Sequence, residues 1–349
     1  MYNYVDQIME QYELEVLETA RSRGAYAYRT KDGLYLLKTV YGSEEKWDLL
    51  YEVQEFLHDA GFEVDRVVKN KEQQTSTKDV EGTRYLLLKT TEGREIDYHN
   101  RQELLKAAAH LAQVHSFLSD FPGEVPTVFV REEQDYCAIF EKHLRELKKV
   151  RNYMQQKRKK SDFERAFLEV YPKFFQQAKA ATEGFRGDIQ FEESVQSGES
   201  SGSGENREQL GKENRVHLGL LHGECTQHNL LLCGNKIGMV SWEGILSGIQ
   251  IWDLCQFLRK IMEKNNWNIS LGMEIIDSYG KQRPLTHAEK RRMYQFLAFP
   301  EKYWKIANHY YNSAKSWGAG RSVEKLERVI VQEDNRNLFL ELLNLTVDK

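Results

Sequence analysis

Cysteine is scarce in this sequence: four residues in 349, at Cys137, Cys225, Cys233 and Cys255, with irregular spacing. That excludes a disulfide framework and points to synthesis and folding in the reducing cytoplasm. Long apolar runs are missing as well. The stretch from Met1 to Glu18 is acidic and lacks the apolar centre of a signal peptide, and no segment approaches the roughly 18 apolar residues that span a bilayer. A soluble protein with no membrane partner is expected. Nor does one sign of charge prevail, since 49 basic against 53 acidic side chains leave a formal charge of -4. Such a balance sets up no global field for nucleic acid or anionic lipid, so charged recognition must be local. Finally, no glycine-rich phosphate loop is evident, because Arg21 to Tyr26 holds only Gly24.

What is present is enough apolar material, 40% of the residues, for two cores. Residues 1–90 read as a β-rich lobe with one helix. Short β-branched and aromatic runs lie near Glu15 to Leu17, at Ala25 to Arg29, and at Leu34 to Val40 after the Lys31-Asp32-Gly33 turn. From Ser43 to Ala60 the period becomes helical, with Leu49, Val53, Phe56 and Leu57 on one face and Gly61 as the stop. Strands resume and end in Tyr85 to Leu88. Residues 91–349 read as a mainly helical lobe, with a helix over Leu104 to Leu118 and two charged helices across 139–184, broken near Lys160 and Ser161. Between 187 and 213 the composition collapses to Ser, Gly and Glu, which predicts a mobile loop because too little apolar surface is available to offset ordering entropy. The class is α+β.

The segment 218–244 carries the chemistry. An apolar run ends at His222-Gly223, a polar loop follows, Asn229 opens a strand over Leu230 to Cys233, and the Gly234-Asn235-Lys236 turn returns the chain along Ile237 to Trp242. This resembles the catalytic loop and metal-binding hairpin of aminoglycoside phosphotransferases and related small-molecule kinases, whose pattern is His-Gly-Asp, a spacer, Asn, then Ile-Asp-Phe or Ile-Asp-Trp. The resemblance implies a bilobal protein kinase-like fold with ATP and Mg2+ as cofactors. It places Lys38 on the phosphates, Glu52 as its ion-pair partner with Glu55 next, and a hinge at Tyr85 to Thr90 with Leu88 contributing. Asn229 falls on the metal, and Asp253 braces the catalytic loop. At the carboxyl end, Trp252-Asp253-Leu254, Phe257-Leu258-Arg259-Lys260, Tyr279-Gly280, and the run from Phe299 to Trp317 look like the CotS-like spore coat proteins of the same superfamily. That likeness implies other spore coat proteins as partners, the spore coat as location, and a small-molecule ligand in the interlobe cleft.

The sequence departs from an active kinase at two acids. Glu224 stands where the family has its catalytic Asp, and one extra methylene moves the carboxylate by about an ångström, a shift able to cost about a hundredfold in rate. Ser241 stands where the second magnesium carboxylate belongs, and a neutral hydroxyl cannot replace a charged oxygen ligand for a hard dication. Glu243 would share a face with Ser241 but lie about 6.6 Å further along a strand, unless the chain bends. The expectation is a pseudokinase acting by binding or coat assembly. The alternative is an ATP- and Mg2+-dependent phosphotransferase acting on a small-molecule hydroxyl, with Glu224 as base, and Asn229, the 241 position and Glu243 around the metal.

Other clusters have plainer readings. His222, Cys225, His228 and Cys233 offer zinc-type ligands, but Cys233 alternates with core positions and His222 suits a bracing role. The basic run from Lys142 to Lys160 reads as a solvated helix face rather than a nucleic-acid site. Phe299, Tyr303, Trp304, Tyr310, Tyr311 and Trp317 have helical spacing after Pro300 and read as core.

Overall fold

The computed structural model describes residues 4–22, 24–197, 214–312 and 319–346. In chain order the elements are α1 (Tyr4–Met9), β1 (Glu18–Ser22), β2 (Ala25–Thr30), β3 (Gly33–Val40), α2 (Glu44–Asp59), β4 (Glu63–Val64), β5 (Arg66–Val67), β6 (Thr77–Lys78), β7 (Arg84–Lys89), β8 (Arg94–Glu95) and α3 (Arg101–Leu118). There follow α4 (Glu133–Gln156), α5 (Asp162–Ser197), β9 (Leu218–Leu221), β10 (Leu230–Cys233), β11 (Lys236–Met239), β12 (Leu246–Ile249), α6 (Ile251–Lys264) and α7 (Ile269–Gln282). The chain closes with α8 (His287–Ala298), α9 (Glu301–Asn312), α10 (Ala319–Val331) and α11 (Glu333–Asn344). No helix among the described residues is long and apolar enough to cross a membrane.

Two compact units are formed. The first comprises Met1–Val130, Gly219–Phe257 and Ser278–Arg283. Its main sheet runs β1-β2-β3-β7-β5, with β6 also on β7. The β2–β3 hairpin closes through Lys31-Asp32, where the Thr30 hydroxyl accepts the Asp32 N–H at 3.1 Å and donates to the Gly33 carbonyl at 3.2 Å. Helix α2 buries Trp47, Leu49, Leu50, Val53 and Leu57, each full burial stabilising by about 1.5–3 kcal/mol. Phe56 stacks on Phe117 of α3 with ring centroids 4.4 Å apart. A second sheet, β4-β11-β10-β8, contains the expected hairpin, and its two-residue turn has Gly234 at φ +58, as a type II′ turn requires.

The second unit comprises Arg131–Leu218, Leu258–Asp277 and Pro284–Lys349 and is helical. Helices α4 and α5 are separated at Lys157–Ser161, close to the break read from sequence. Aromatic rings fill the core: Phe299 stacks on Phe140 at 4.4 Å, and Tyr303 lies 4.9 Å from Phe167 and 4.5 Å from Phe174. Tyr310 stacks on Phe163 at 4.2 Å, and Trp304 donates its indole N–H to Glu146 at 2.8 Å. Tyr311 instead stays 44% exposed, and Trp317 lies outside the described residues.

Three boundaries differ from the sequence reading. The first strand starts at Glu18, not Glu15, and Leu17 only donates its N–H to Arg29. The expected loop at 187–213 is helical as far as Ser197, since α5 carries on with Ile189 and Glu192 buried; 198–213 lie outside the described residues. Strand β11 stops at Met239 instead of Trp242, because Ser241 takes the left-handed conformation at φ +67 and starts a 3-10 turn over Trp242–Gly244.

Candidate functional site

The loop after β9 is held from beneath. Buried Asp253, at the start of α6, accepts the backbone N–H groups of His222 at 2.7 Å and Gly223 at 2.9 Å. Its Oδ2 also lies 3.3 Å from His115 Nε2, and the other nitrogen of that ring meets the Tyr279 hydroxyl at 2.8 Å. His222 accepts the Glu224 N–H at Nδ1, which leaves Nε2–H to donate to the Val240 carbonyl at 3.0 Å and tie the loop to the hairpin. Gly223 sits at φ +82 with the Gly244 carbonyl where a Cβ would project, so a side chain is excluded twice over. Glu224 is exposed at the loop tip, with its stem over Gly244. Asn229 donates its amide to the Glu224 carbonyl at 2.9 Å, which commits its nitrogen to the loop.

Lys38, at the end of β3, is the centre of a second group. Its Nζ donates to Glu243 Oε1 at 2.5 Å and to Ser241 Oγ at 3.0 Å, with both charged side chains largely buried. A strand would have carried Glu243 away from Ser241. The left-handed residue at 241 and the turn after it fold Glu243 back, so that one ammonium reaches both. Beneath them lies Asp65, between β4 and β5 and 2% exposed. It accepts the Ser241 N–H at 2.7 Å and the Gln54 amide at 2.8 Å. Burial raises the Asp65 carboxyl to about 7; Lys38 opposes that rise and the Glu243 charge adds to it. On the first turn of α2, Lys46 is lowered by burial, against the pull of the Glu224 and Glu243 charges. Its neighbour Trp47 is buried with its indole N–H unpartnered among the described residues.

One expected contact is not formed. Glu52 does not pair with Lys38: α2 turns Trp47, Leu50, Val53 and Leu57 inward, and its 100° step per residue leaves Glu52 on the outer side, exposed, by Gly123. The reserve candidate Glu55 faces Arg66 at 3.6 Å. Leu88, expected at the hinge, is 1% exposed within β7, between β3 on one edge and β5 on the other.

The family model described as "Spore coat putative kinase YutH" matches residues 5–200 and 250–343. The chain belongs to this spore coat family. The match leaves out the segment holding Glu224, Asn229, Ser241 and Glu243. Among solved structures, an aminoglycoside phosphotransferase from Alicyclobacillus acidocaldarius is similar with a TM-score of 0.75 at 18% identity, over 98% of this chain and 96% of that one. An AMP-bound spectinomycin phosphotransferase gives 0.59 at 13% identity, over 94% and 96%. An amicoumacin kinase in complex with AMP-PNP, Ca2+ and its antibiotic gives 0.58 at 13% identity, over 95% and 92%. These likenesses show the fold, which is the kinase-like, aminoglycoside phosphotransferase type. No curated protein matches the chain in sequence.

The structure of this spore coat family member brings Lys38, Ser241 and Glu243 together, and separately Glu224 with Asn229 and Asp253 with the loop backbone. A magnesium ion needs hard, preferably charged oxygen, from one or two carboxylates besides phosphate and water. Of the two acids near Lys38, Asp65 is buried, with its oxygens on the Ser241 N–H and the Gln54 amide and its carboxyl raised to about 7, which leaves a hydroxyl and one carboxylate, Glu243, that the Lys38 ammonium already engages. The fit to magnesium is therefore poor as the side chains stand. Among the described residues no three His, Cys, Asp or Glu side chains are grouped as a metal site. Sequence reasoning missed Asp65 and Lys46. No local signal separates Asp65 from its neighbour: Phe62 to Val68 holds two acids, Glu63 and Asp65, both at the polar positions of an alternation with Phe62 and Val64.

Proposed function

We propose that this protein is a kinase-fold component of the spore coat that acts by binding or coat assembly, as a pseudokinase with weak phosphotransfer chemistry. One observation carries this reading: Lys38 is bonded to Glu243 and Ser241. The cation suited to nucleotide phosphates and the acid suited to magnesium neutralise one another, while Ser241 adds no charge. Phosphoryl transfer depends on positioning and on charge stabilisation by metal and cation, and both are weakened. Glu224, longer by a methylene than the family's Asp, adds a misplaced base. The two-lobe division at residue 90 belongs to this reading, as do cytoplasmic synthesis, residence in the coat, other coat proteins as partners and a small-molecule ligand.

A second reading has its own support. The bend at Ser241 folds the Glu243 carboxylate back to the ammonium that Ser241 also meets, instead of a strand repeat beyond it. If Glu243 leaves Lys38 for a magnesium ion shared with Asn229, the protein is a phosphotransferase acting on a small-molecule hydroxyl. Thermal shift with ATP and magnesium, singly and together, separates the two. Binding without catalysis predicts no stabilisation that requires both. A rise in melting temperature seen only with both present overturns the proposal in favour of the enzyme.

A further inference from the structure

Within the second unit a cavity of about 210 Å³ opens among the ends of α6, α8 and α9 and the adjoining faces of α10 and α11. Its floor is aromatic, made by Trp267, Phe299 and Tyr303, which are 4%, 1% and 0% exposed. The charges set into this floor are matched. Arg259 pairs with Glu301, Lys302 with Glu263 at 3.1 Å, and Arg336 with Glu333 at 3.5 Å. Arg336 also donates to the carbonyls of Leu297 and Ala298 at the end of α8, so this guanidinium is fixed in place.

The mouth differs from the floor. Lys325 and Arg328, one turn apart on α10, line it, are exposed, and enter no ion pair among the described residues. The charge left over is positive. Trp267 adds a second sign of a built site: it and Asn266 hold left-handed backbone at φ +53 and +49. A bulky residue in that region costs about 1–3 kcal/mol, and such outliers gather at ligand clamps. The conformation is anchored by the Trp267 N–H on the Met262 carbonyl at 2.9 Å and by the Asn335 amide on the Asn266 carbonyl at 3.0 Å. It sets the indole as a cavity wall, 5.7 Å from the Arg336 guanidinium.

We infer that this cavity binds a small aromatic anion, its ring beside Trp267, which Phe299 and Tyr303 back from the core, and its carboxylate or phosphate on Lys325 and Arg328. An apolar cavity of about 150 Å³ accepts benzene, so the volume here suits a single substituted ring and is too small for a nucleotide. The inference goes beyond the function proposed above, because none of its residues belongs to the Lys38 and Glu243 group.

Isothermal titration of the full chain with phenyl phosphate, benzoate, benzyl alcohol, benzylamine and inorganic phosphate tests it. The two aromatic anions are expected to bind, and Lys325→Glu combined with Arg328→Glu to weaken them by at least about tenfold, equal to 1.4 kcal/mol. Both positions are exposed, so the fold is preserved in the variant. No binding of the aromatic anions overturns the inference, as does equal affinity for benzylamine or benzyl alcohol. Equal affinity for inorganic phosphate shows that the ring is not read, and unchanged affinity in the double variant places the anion elsewhere; either result also overturns it.

Discussion

Asp65 accepts the backbone N–H of Ser241 at 2.7 Å, so a buried acid supports the one residue whose left-handed turn shapes the Lys38 group. Its carboxyl is raised from 3.8 to about 7, chiefly by burial. The folded protein thus holds this proton across a range where the unfolded chain has released it. Stability from Asp65 is full below about pH 4 and is lost as pH rises toward 7, by up to about 4 kcal/mol. Glu192, raised to about 7, acts in the same direction, whereas His110 and His143, lowered to about 4, act oppositely. The comparison with Asp65→Asn isolates the one group. Urea unfolding at several pH values should show the wild type losing stability relative to the variant between pH 4 and 7; parallel pH profiles would contradict the burial of this acid.

Glu243→Gln should release Lys38. With the charge partner gone, the ammonium is free to meet a phosphate, and affinity for ATP without magnesium should rise by about threefold to tenfold, or 0.7 to 1.4 kcal/mol. Filter binding or titration calorimetry reads this directly. A fall in magnesium-dependent affinity instead would assign Glu243 to a metal.

Asp253→Ala should be among the most damaging single changes in the first unit. It strips acceptors from the N–H groups of His222 and Gly223 and leaves His115 beside an apolar gap. Buried donors without partners cost about 1–3 kcal/mol each, so a loss of about 3–5 kcal/mol is expected in urea unfolding. Amide exchange at residues 222 and 223 should lose protection in step. A loss below about 1 kcal/mol would mean the loop is held elsewhere.

Much of this architecture can be read in the chain. The Gly234-Asn235 turn between apolar runs marks the hairpin, and the polar break before Ser161 separates α4 from α5, because both signals are local. The order of Lys38, Asn229 and Asp253 marks the kinase-like fold, although it leaves their geometry open. What escapes the sequence depends on distant pairing. The parallel ladder that sets Glu63 opposite Gly238 brings Asp65 beneath Ser241, across a separation no local pattern encodes. Strand periodicity predicts a continuous β11 through Trp242, and only the left-handed Ser241 redirects Glu243 to Lys38. Glu52 fails for a related reason, since helix rotation decides which side of an element faces the site.

The most direct measurement compares ATP binding, with and without magnesium, by the wild type and by Glu224→Asp combined with Ser241→Asp. Supplying charged oxygen at 241 should give the variant magnesium-dependent binding at least about tenfold tighter than its metal-free binding, while the wild type stays indifferent to magnesium. Magnesium-dependent binding of that size by the wild type, accompanied by turnover of ATP, would contradict the account.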